Sequence, residues 1–200
     1  MATESVQLQH INVKIYVEGD LKVEPGLFID VFHGWVGNGV MPELLIDVAD
    51  YRHVPDGPAV LLVGHEADYI LDRTAGRWGL VYNRKAPLDG TDEERLRQAL
   101  GAAASAALVL ETQFTSEGLQ FSRQQMQISI NDRGLAPNTS ETFDAVRPRL
   151  ESFLEGALGQ SDLTVAHEDE DLRRRFSVVV EAAQPYDLQE LAQAISGVSS

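Results

Sequence analysis

The sequence predicts an α+β protein: a mainly antiparallel sheet with helices packed on one side, built either as one unit or as two ferredoxin-like halves. Three observations predict this class. Segments with alternating apolar residues are interrupted by segments with helical periodicity, and short turn signals join neighbouring strands. The order strand, helix, strand, strand, helix also occurs twice, over residues 1–112 and 113–200. Because short turns join antiparallel strands, the sheet should be mainly antiparallel.

The first half begins with a strand and a helix. Residues 10–18 (HINVKIYVE) alternate apolar and polar side chains, which is typical of a half-buried strand. Residues 27–36 carry apolar side chains at helical spacing, and the sequence GNG at 37–39 ends that helix. Residues 43–51 (ELLIDVADY) predict a second strand, which ends at a Pro- and Gly-rich turn.

A hairpin and a long helix complete the first half. Residues 59–72 predict one long strand, which turns at 73–76 and returns over 77–83. Thr91 and Glu94 have the spacing of a capping box, so the longest helix should begin there.

The second half repeats this order with fewer residues. Residues 119–131 predict a strand, and Asn138 with Glu141 predicts the start of a helix that Pro148 should kink or end. A charged hairpin follows over 162–182. A final short helix should begin at Asp187 and bury the side chains of Leu188, Leu191 and Ile195.

An internal duplication would explain the repeated order. A shift of 115 residues places Val13 on Ile128 and Phe28 on Phe143. Against a duplication, the first half has about twenty residues more than the second, and apolar matches at strand or helix spacing also arise by chance.

The charge is strongly negative and evenly spread. The chain has 31 acidic and 16 basic residues, a net charge of −15, and the halves on either side of residue 100 carry −7 and −8. A uniformly acidic surface repels nucleic acid and anionic lipid headgroups. The sequence therefore predicts neither nucleic-acid binding nor a membrane partner.

Several classes of site are excluded or unsupported. The chain has no cysteine, which excludes disulfides, thiolate metal sites and a cysteine nucleophile. No phosphate-binding loop, HExxH motif or GxSxG motif occurs. The N-terminal segment lacks the charged start and apolar run of a signal peptide, so we expect a cytoplasmic location.

The segment from residue 47 to 72 holds the densest group of carboxylates and histidines. Glu66, Asp68, His53 and His65 could hold a divalent metal or act in acid–base chemistry. The alternative is a half-exposed strand whose carboxylates face water, which is the more common reason for such a pattern. No cofactor is otherwise predicted.

A second group concentrates basic side chains where strands end. Arg77, Asn83, Arg84 and Lys85 lie on the return arm of the hairpin and its exit loop, and Arg133 follows the strand of the second half. Such residues could bind a small carboxylate or phosphate. The alternative is that they form surface ion pairs, which contribute little.

The strings GHEADY, YNRKAP and INDRGLAPN resemble a family of bacterial conserved proteins to which no activity is assigned. The resemblance covers most of the chain and implies no function, cofactor or catalytic residue. From the residues alone we expect a non-catalytic protein that binds a small ligand or a protein partner, with a homodimer as the default assembly. The alternative is a small-molecule enzyme that uses the 47–72 segment.

Overall fold

Strands from both halves of the chain form one antiparallel sheet. The computed structural model describes residues 6–169, 171 and 173–193, and the strand order within them is β2-β3-β4-β5-β1-β6-β8-β7. All neighbouring strands are antiparallel. The strands are β1 (Ile11–Val17), β2 (Leu45–Asp50), β3 (Pro58–Gly64), β4 (Ala67–Asp72), β5 (Gly79–Arg84), β6 (Phe121–Ile130), β7 (Leu163–His167) and β8 (Phe176–Ala182).

Four helices accompany the sheet in the described residues: α1 (Leu27–Asn38), α2 (Asp92–Gln113), α3 (Ser140–Leu158) and α4 (Leu188–Gln193). The expected α+β class with a mainly antiparallel sheet is confirmed. Thr91 caps α2 through the predicted box with Glu94. The Ala-rich face of α2 is buried, and small side chains let this helix approach the sheet closely.

The three long helices, α1, α2 and α3, contact the same row of residues across the sheet and therefore lie on one face of it. The residues of this row are successive Cα partners on neighbouring strands: Tyr69, Tyr82, Val13, Ile128, Val178 and His167. The ring centroids of Trp35 in α1 and Tyr69 are 6.2 Å apart, and the amide of Gln98 in α2 donates to the Tyr82 hydroxyl. Phe143 in α3 stacks on His167. Adjacent residues of a strand point to opposite faces of the sheet. The contacts of the three long helices in the described residues are on the face of this row, and we call the opposite face the helix-free face.

The predicted long strand over 59–72 is wrong, because the chain reverses direction at residues 65 and 66. β3 ends at Gly64 and β4 begins at Ala67, so the segment forms a meander of three strands with β5. A Cβ atom at Gly64 would lie 2.2 Å from the Ala67 carbonyl oxygen. Only glycine allows this close approach, and the polar residues His65 and Glu66 that follow it form the turn.

The predicted N-cap of α3 is also wrong. Its N-cap is Thr139, whose hydroxyl accepts a hydrogen bond from the Thr142 N–H, and not Asn138. The Asn138 side chain is buried and binds His167 and the Glu168 carbonyl. Pro148 lies inside α3 and does not end it.

β1 and β6 lie side by side in the middle of the sheet, and they join the two halves of the chain. Val13 is the Cα partner of Ile128, the residue on which the 115-residue shift places it. The duplication and its ferredoxin-like halves stay predictions. Ile195 lies outside the described residues.

Within the same residues, no helix combines the length and apolar character that crossing a membrane requires.

Candidate functional site: the helix-free face

A row of polar side chains crosses the helix-free face next to the row that the helices contact. Its members are successive Cα partners on five neighbouring strands, and we call them the polar row: Asp68, Asn83, Asn12, Ser129 and Ser177. Asn12 and Ser129 are only 2% and 6% exposed, although no long helix packs on this side. The centre of the helix-free face is therefore polar and shielded from solvent, and we call this buried polar centre around Asn12 the recess.

Asn12 in β1 is the exceptional member of the polar row. Its Oδ1 atom is buried and accepts no hydrogen bond from any described residue. Buried polar atoms in folded proteins are almost always paired, and an unpaired one costs about 1–3 kcal/mol. The buried polar centre around Asn12 therefore contains an acceptor without a described donor.

The ends of β5 and β6 meet beside Asn12. Both strands run antiparallel to β1, so both end where β1 begins. Asn131 donates from Nδ2 to Asn83 Oδ1 at 3.3 Å, and Asn83 donates from its own Nδ2 to Asp68 Oδ2 at 3.0 Å. The fold thus joins two Asn-containing strand ends that lie 48 residues apart in the chain.

Lys14 lies two residues from Asn12 on the same face and forms a buried ion pair. Its Nζ atom is 2.6 Å from Asp72 Oδ2 and also donates to the Arg77 carbonyl at 2.8 Å. Burial lowers the pKa of the Lys14 ammonium, and the Asp72 carboxylate opposes part of that effect. The ammonium is occupied by these acceptors, so its role is to fasten the β4–β5 turn onto the sheet.

Tyr16 and Arg77 cover the end of the face beyond Lys14. The Arg77 guanidinium lies 3.7 Å from the centre of the Tyr16 ring, and it donates to Gln125 Oε1 at 2.6 Å. Burial raises the pKa of Tyr16 to about 12. This end is therefore closed by side chains of the protein itself.

Arg175 directly precedes β8 and is two residues from Ser177, so strand alternation places its side chain on the helix-free face. Surrounding protein lowers the pKa of its guanidinium, and the Asp72 carboxylate partly counteracts this effect. No described acidic residue lies within 4.0 Å of the Arg175 guanidinium. It is a cation near the recess with no described counterion.

The five predicted ligand-binding residues are divided between the two faces. Asn83 belongs to the polar row, and Arg77 closes the far end of the helix-free face. Arg84 lies on the helix side, where it is buried and pairs with Glu66 at 3.1 Å. Lys85 pairs with Asp68 at 2.7 Å, which neutralises that end of the polar row.

Arg133, the fifth of these residues, lies in the loop after β6. Its guanidinium donates to the Arg173 carbonyl at 2.8 Å. It thus joins the β6 exit to the turn that precedes Arg175.

The four candidate metal ligands do not converge. His65 and Glu66 form the exposed β3–β4 turn, and His53 stacks on Tyr51 in the loop after β2. Asp68 is engaged by Lys85, Asn83 and the Gly64 N–H. Throughout the described part of the chain, no three His, Asp or Glu side chains are grouped so that they could hold a metal.

The helix side contains a separate polar network. Glu43 is 8% exposed and accepts hydrogen bonds from the hydroxyls of Tyr69 at 2.7 Å and Tyr82 at 3.2 Å. Gln98 extends this network to α2. The hydroxyls and the carboxylate satisfy one another, so the network specifies core packing and offers no free group to a ligand.

A separate groove lies between α2 and the residues that begin α4. This shallow groove of about 410 Å³ is lined by polar side chains, among them Glu111, Arg123 and Asp187. Glu111 and Arg123 form an ion pair at 2.8 Å. The groove therefore lacks the unpaired acceptor that distinguishes the recess.

Neither a protein-family model nor a curated protein matches the chain. The resemblance to a bacterial family stays a prediction.

Sequence reasoning missed the residues that matter most in this geometry. Asn12 and Lys14 alternate with apolar residues, which predicts a face in contact with water, yet both are buried. The available signal was three polar side chains in a strand that is otherwise apolar. This pattern indicates buried polar side chains only if β1 is known to lie in the middle of the sheet.

Proposed function

We propose that the chain is a non-catalytic binding protein that holds a small anion carrying an N–H or O–H donor in the recess of the helix-free face. The observation that carries this proposal is the buried, unpaired Oδ1 atom of Asn12. A ligand donor on this atom would remove a desolvation cost of about 1–3 kcal/mol that the protein bears alone.

The neighbouring groups support a binding role. The carboxamides of Asn12 and Asn83 orient a ligand by hydrogen bonds, and they do not exchange protons near neutral pH. The Ser129 hydroxyl can donate or accept. These groups favour recognition over acid–base catalysis.

The negative group of the ligand is assigned to Arg175. A guanidinium binds carboxylates and phosphates through two parallel N–H donors, and the Arg175 side chain is exposed and therefore accessible to such a group. In a chain of net charge −15, a cation without a described counterion is one of few places that attract an anion. Amino acids and hydroxy acids combine the required donor and anion in one molecule.

Thermal unfolding with a panel of amino acids and hydroxy acids tests the proposal. A ligand at 100 times its Kd stabilises the protein by about 2.7 kcal/mol, which corresponds to a rise in Tm of roughly 5–10 °C for a chain of this length. We expect at least one member of the panel to produce this rise, and we expect Asn12→Leu and Arg175→Gln each to abolish it.

Arg174→Gln is the matched control, because it removes a neighbouring charge that we assign to no contact with the ligand. Its response should equal that of the unmodified protein. If no panel member raises the Tm, or if Asn12→Leu responds as strongly as the unmodified chain, the recess holds only water and the proposal fails.

A further inference from the structure

Exposed apolar side chains concentrate at one edge of the sheet. Six large apolar residues are exposed in the described part of the chain. Four of them lie between residues 40 and 51: Val40, Leu44, Ile46 and Tyr51. Leu44 and Ile46 are 68% and 54% exposed. Both are in or next to β2, the first strand of the sheet, and we call residues 44–51 the β2 edge.

The backbone of the β2 edge presents hydrogen-bonding groups to solvent. The Tyr51 N–H donates to the carbonyl of Ala59 in the neighbouring strand β3. Residues an odd number apart along a strand direct their N–H groups to opposite sides, so Val48 and Asp50 point away from β3. The Val48 N–H is bound instead by the carboxylate of its neighbour Asp47 at 2.8 Å.

The opposite edge of the sheet lacks these features. β7 exposes Thr164 and Ala166, which are small, and α3 packs against this strand. The large, exposed apolar side chains are therefore a property of the β2 edge and not of sheet edges in this protein generally.

We propose that the β2 edge binds an extended segment of a partner protein in which apolar and basic residues alternate, so that the segment adds a ninth strand to the sheet. Strand addition takes its affinity from backbone hydrogen bonds and its specificity from alternate side chains. The exposed side chains of Leu44 and Ile46 supply the apolar contacts.

The charge of the edge selects basic residues in the partner. A partner carbonyl that accepts the Val48 N–H displaces the Asp47 carboxylate, which then faces the incoming strand without a partner of its own. A Lys or Arg on that strand can pair with it. A second copy of this chain brings another Asp47 and a second net charge of −15, so the charges oppose self-pairing at this edge.

The test uses a labelled peptide of four Val-Lys repeats with blocked ends and measures its affinity by fluorescence anisotropy. We expect binding by the unmodified protein, and a loss of at least tenfold for Val48→Pro. Proline removes the outward N–H but keeps every β2–β3 hydrogen bond, so this variant should remain folded. Circular dichroism checks that it does.

Two controls separate strand addition from attraction by charge. The same peptide with N-methyl groups on alternate residues keeps its charge but cannot form the ladder, and we expect it to bind at least tenfold more weakly. Equal binding of the two peptides, equal binding by Val48→Pro, or no binding at all overturns the proposal. A dimer of the unmodified protein that Val48→Pro dissociates also overturns it, because the occupant of the edge is then a second copy.

Discussion

Replacement of Asn12, in the central strand β1, should change stability and ligand binding in opposite directions. Its Oδ1 atom is buried without a described partner, and Leu has the same branched arrangement of side-chain heavy atoms without a polar atom. We therefore expect Asn12→Leu to raise the free energy of unfolding by about 1 kcal/mol while it removes ligand binding. Urea denaturation measures the change, and a loss of more than 1 kcal/mol would show that the amide has a stabilising partner.

Substitution of Lys14, which forms an ion pair with Asp72, should lower the stability of the protein. Removal of one partner leaves a buried charge, so we expect Lys14→Met to lower the free energy of unfolding by about 3 kcal/mol. The double variant with Asp72→Asn should recover part of this loss, since no unpaired carboxylate then remains. Urea denaturation of Lys14→Met, of Asp72→Asn and of the double variant gives the interaction energy between the two side chains. Equal stability of Lys14→Met and the unmodified protein would contradict the assigned role.

Among the elements, the β3–β4 turn depends on a single glycine. We expect Gly64→Ala to lower the free energy of unfolding by at least about 2 kcal/mol, because its Cβ atom would meet a backbone oxygen that cannot move alone. Gly37→Ala in α1 is the matched control. Nothing lies within 4 Å of its Cβ position, so it should stabilise the helix by up to about 1 kcal/mol. Thermal and urea unfolding compare the two, and a neutral Gly64→Ala would contradict the described turn.

Sequence periodicity predicts the elements better than the boundaries between them. The capping box of Thr91 makes the start of α2 predictable, since that signal is local. The β3–β4 turn was missed because Gly64 is required by contact with a residue three positions later, which alternation does not encode. Asn138 looked like a cap, but tertiary contacts with His167 use its side chain instead.

The candidate site was predictable only in part for the same reason. Asn83 was recognised from the polar cluster at its strand end. Its contact with Asn131 depends on both strands flanking β1, which is a property of the strand order. The polar side chains of β1 do not by themselves indicate that Asn12 is buried, because its neighbours in space come from β5 and β6.

The whole molecule should unfold at alkaline pH through its buried tyrosines. Burial raises the pKa of Tyr16 and Tyr82 from 10.0 to about 12, and it also raises the pKa of Tyr69 and Tyr186. Above pH 10 the unfolded chain therefore binds fewer protons than the folded one. The resulting stability is complete below pH 10 and is lost as the pH rises through the folded values, by about 1.4 kcal/mol for each unit by which a pKa differs.

Absorbance of tyrosinate and circular dichroism, recorded over the same pH series, measure this transition. We expect the ionisation of the buried tyrosines to coincide with loss of structure near or above pH 11. Ionisation that is complete by pH 10.5 in a folded protein would contradict the burial of these side chains.

The homodimer and the cytoplasmic location stay predictions from the sequence. Two chains of net charge −15 repel one another, and salt screens that repulsion. If the homodimer exists, its fraction in sedimentation equilibrium should rise with ionic strength. A dimer fraction that falls as salt is added would instead indicate that ion pairs hold the two chains together.

The central claim is that the recess around Asn12 binds a small ligand. Nuclear magnetic resonance titration of the ¹⁵N-labelled protein with the panel member that most raises the Tm tests it most directly. Our account predicts shifts of the signals of Asn12, Asn83, Ser129 and Ser177 that saturate together. Shifts that cluster instead on the α2–α4 groove, around Glu111 and Asp187, would contradict it.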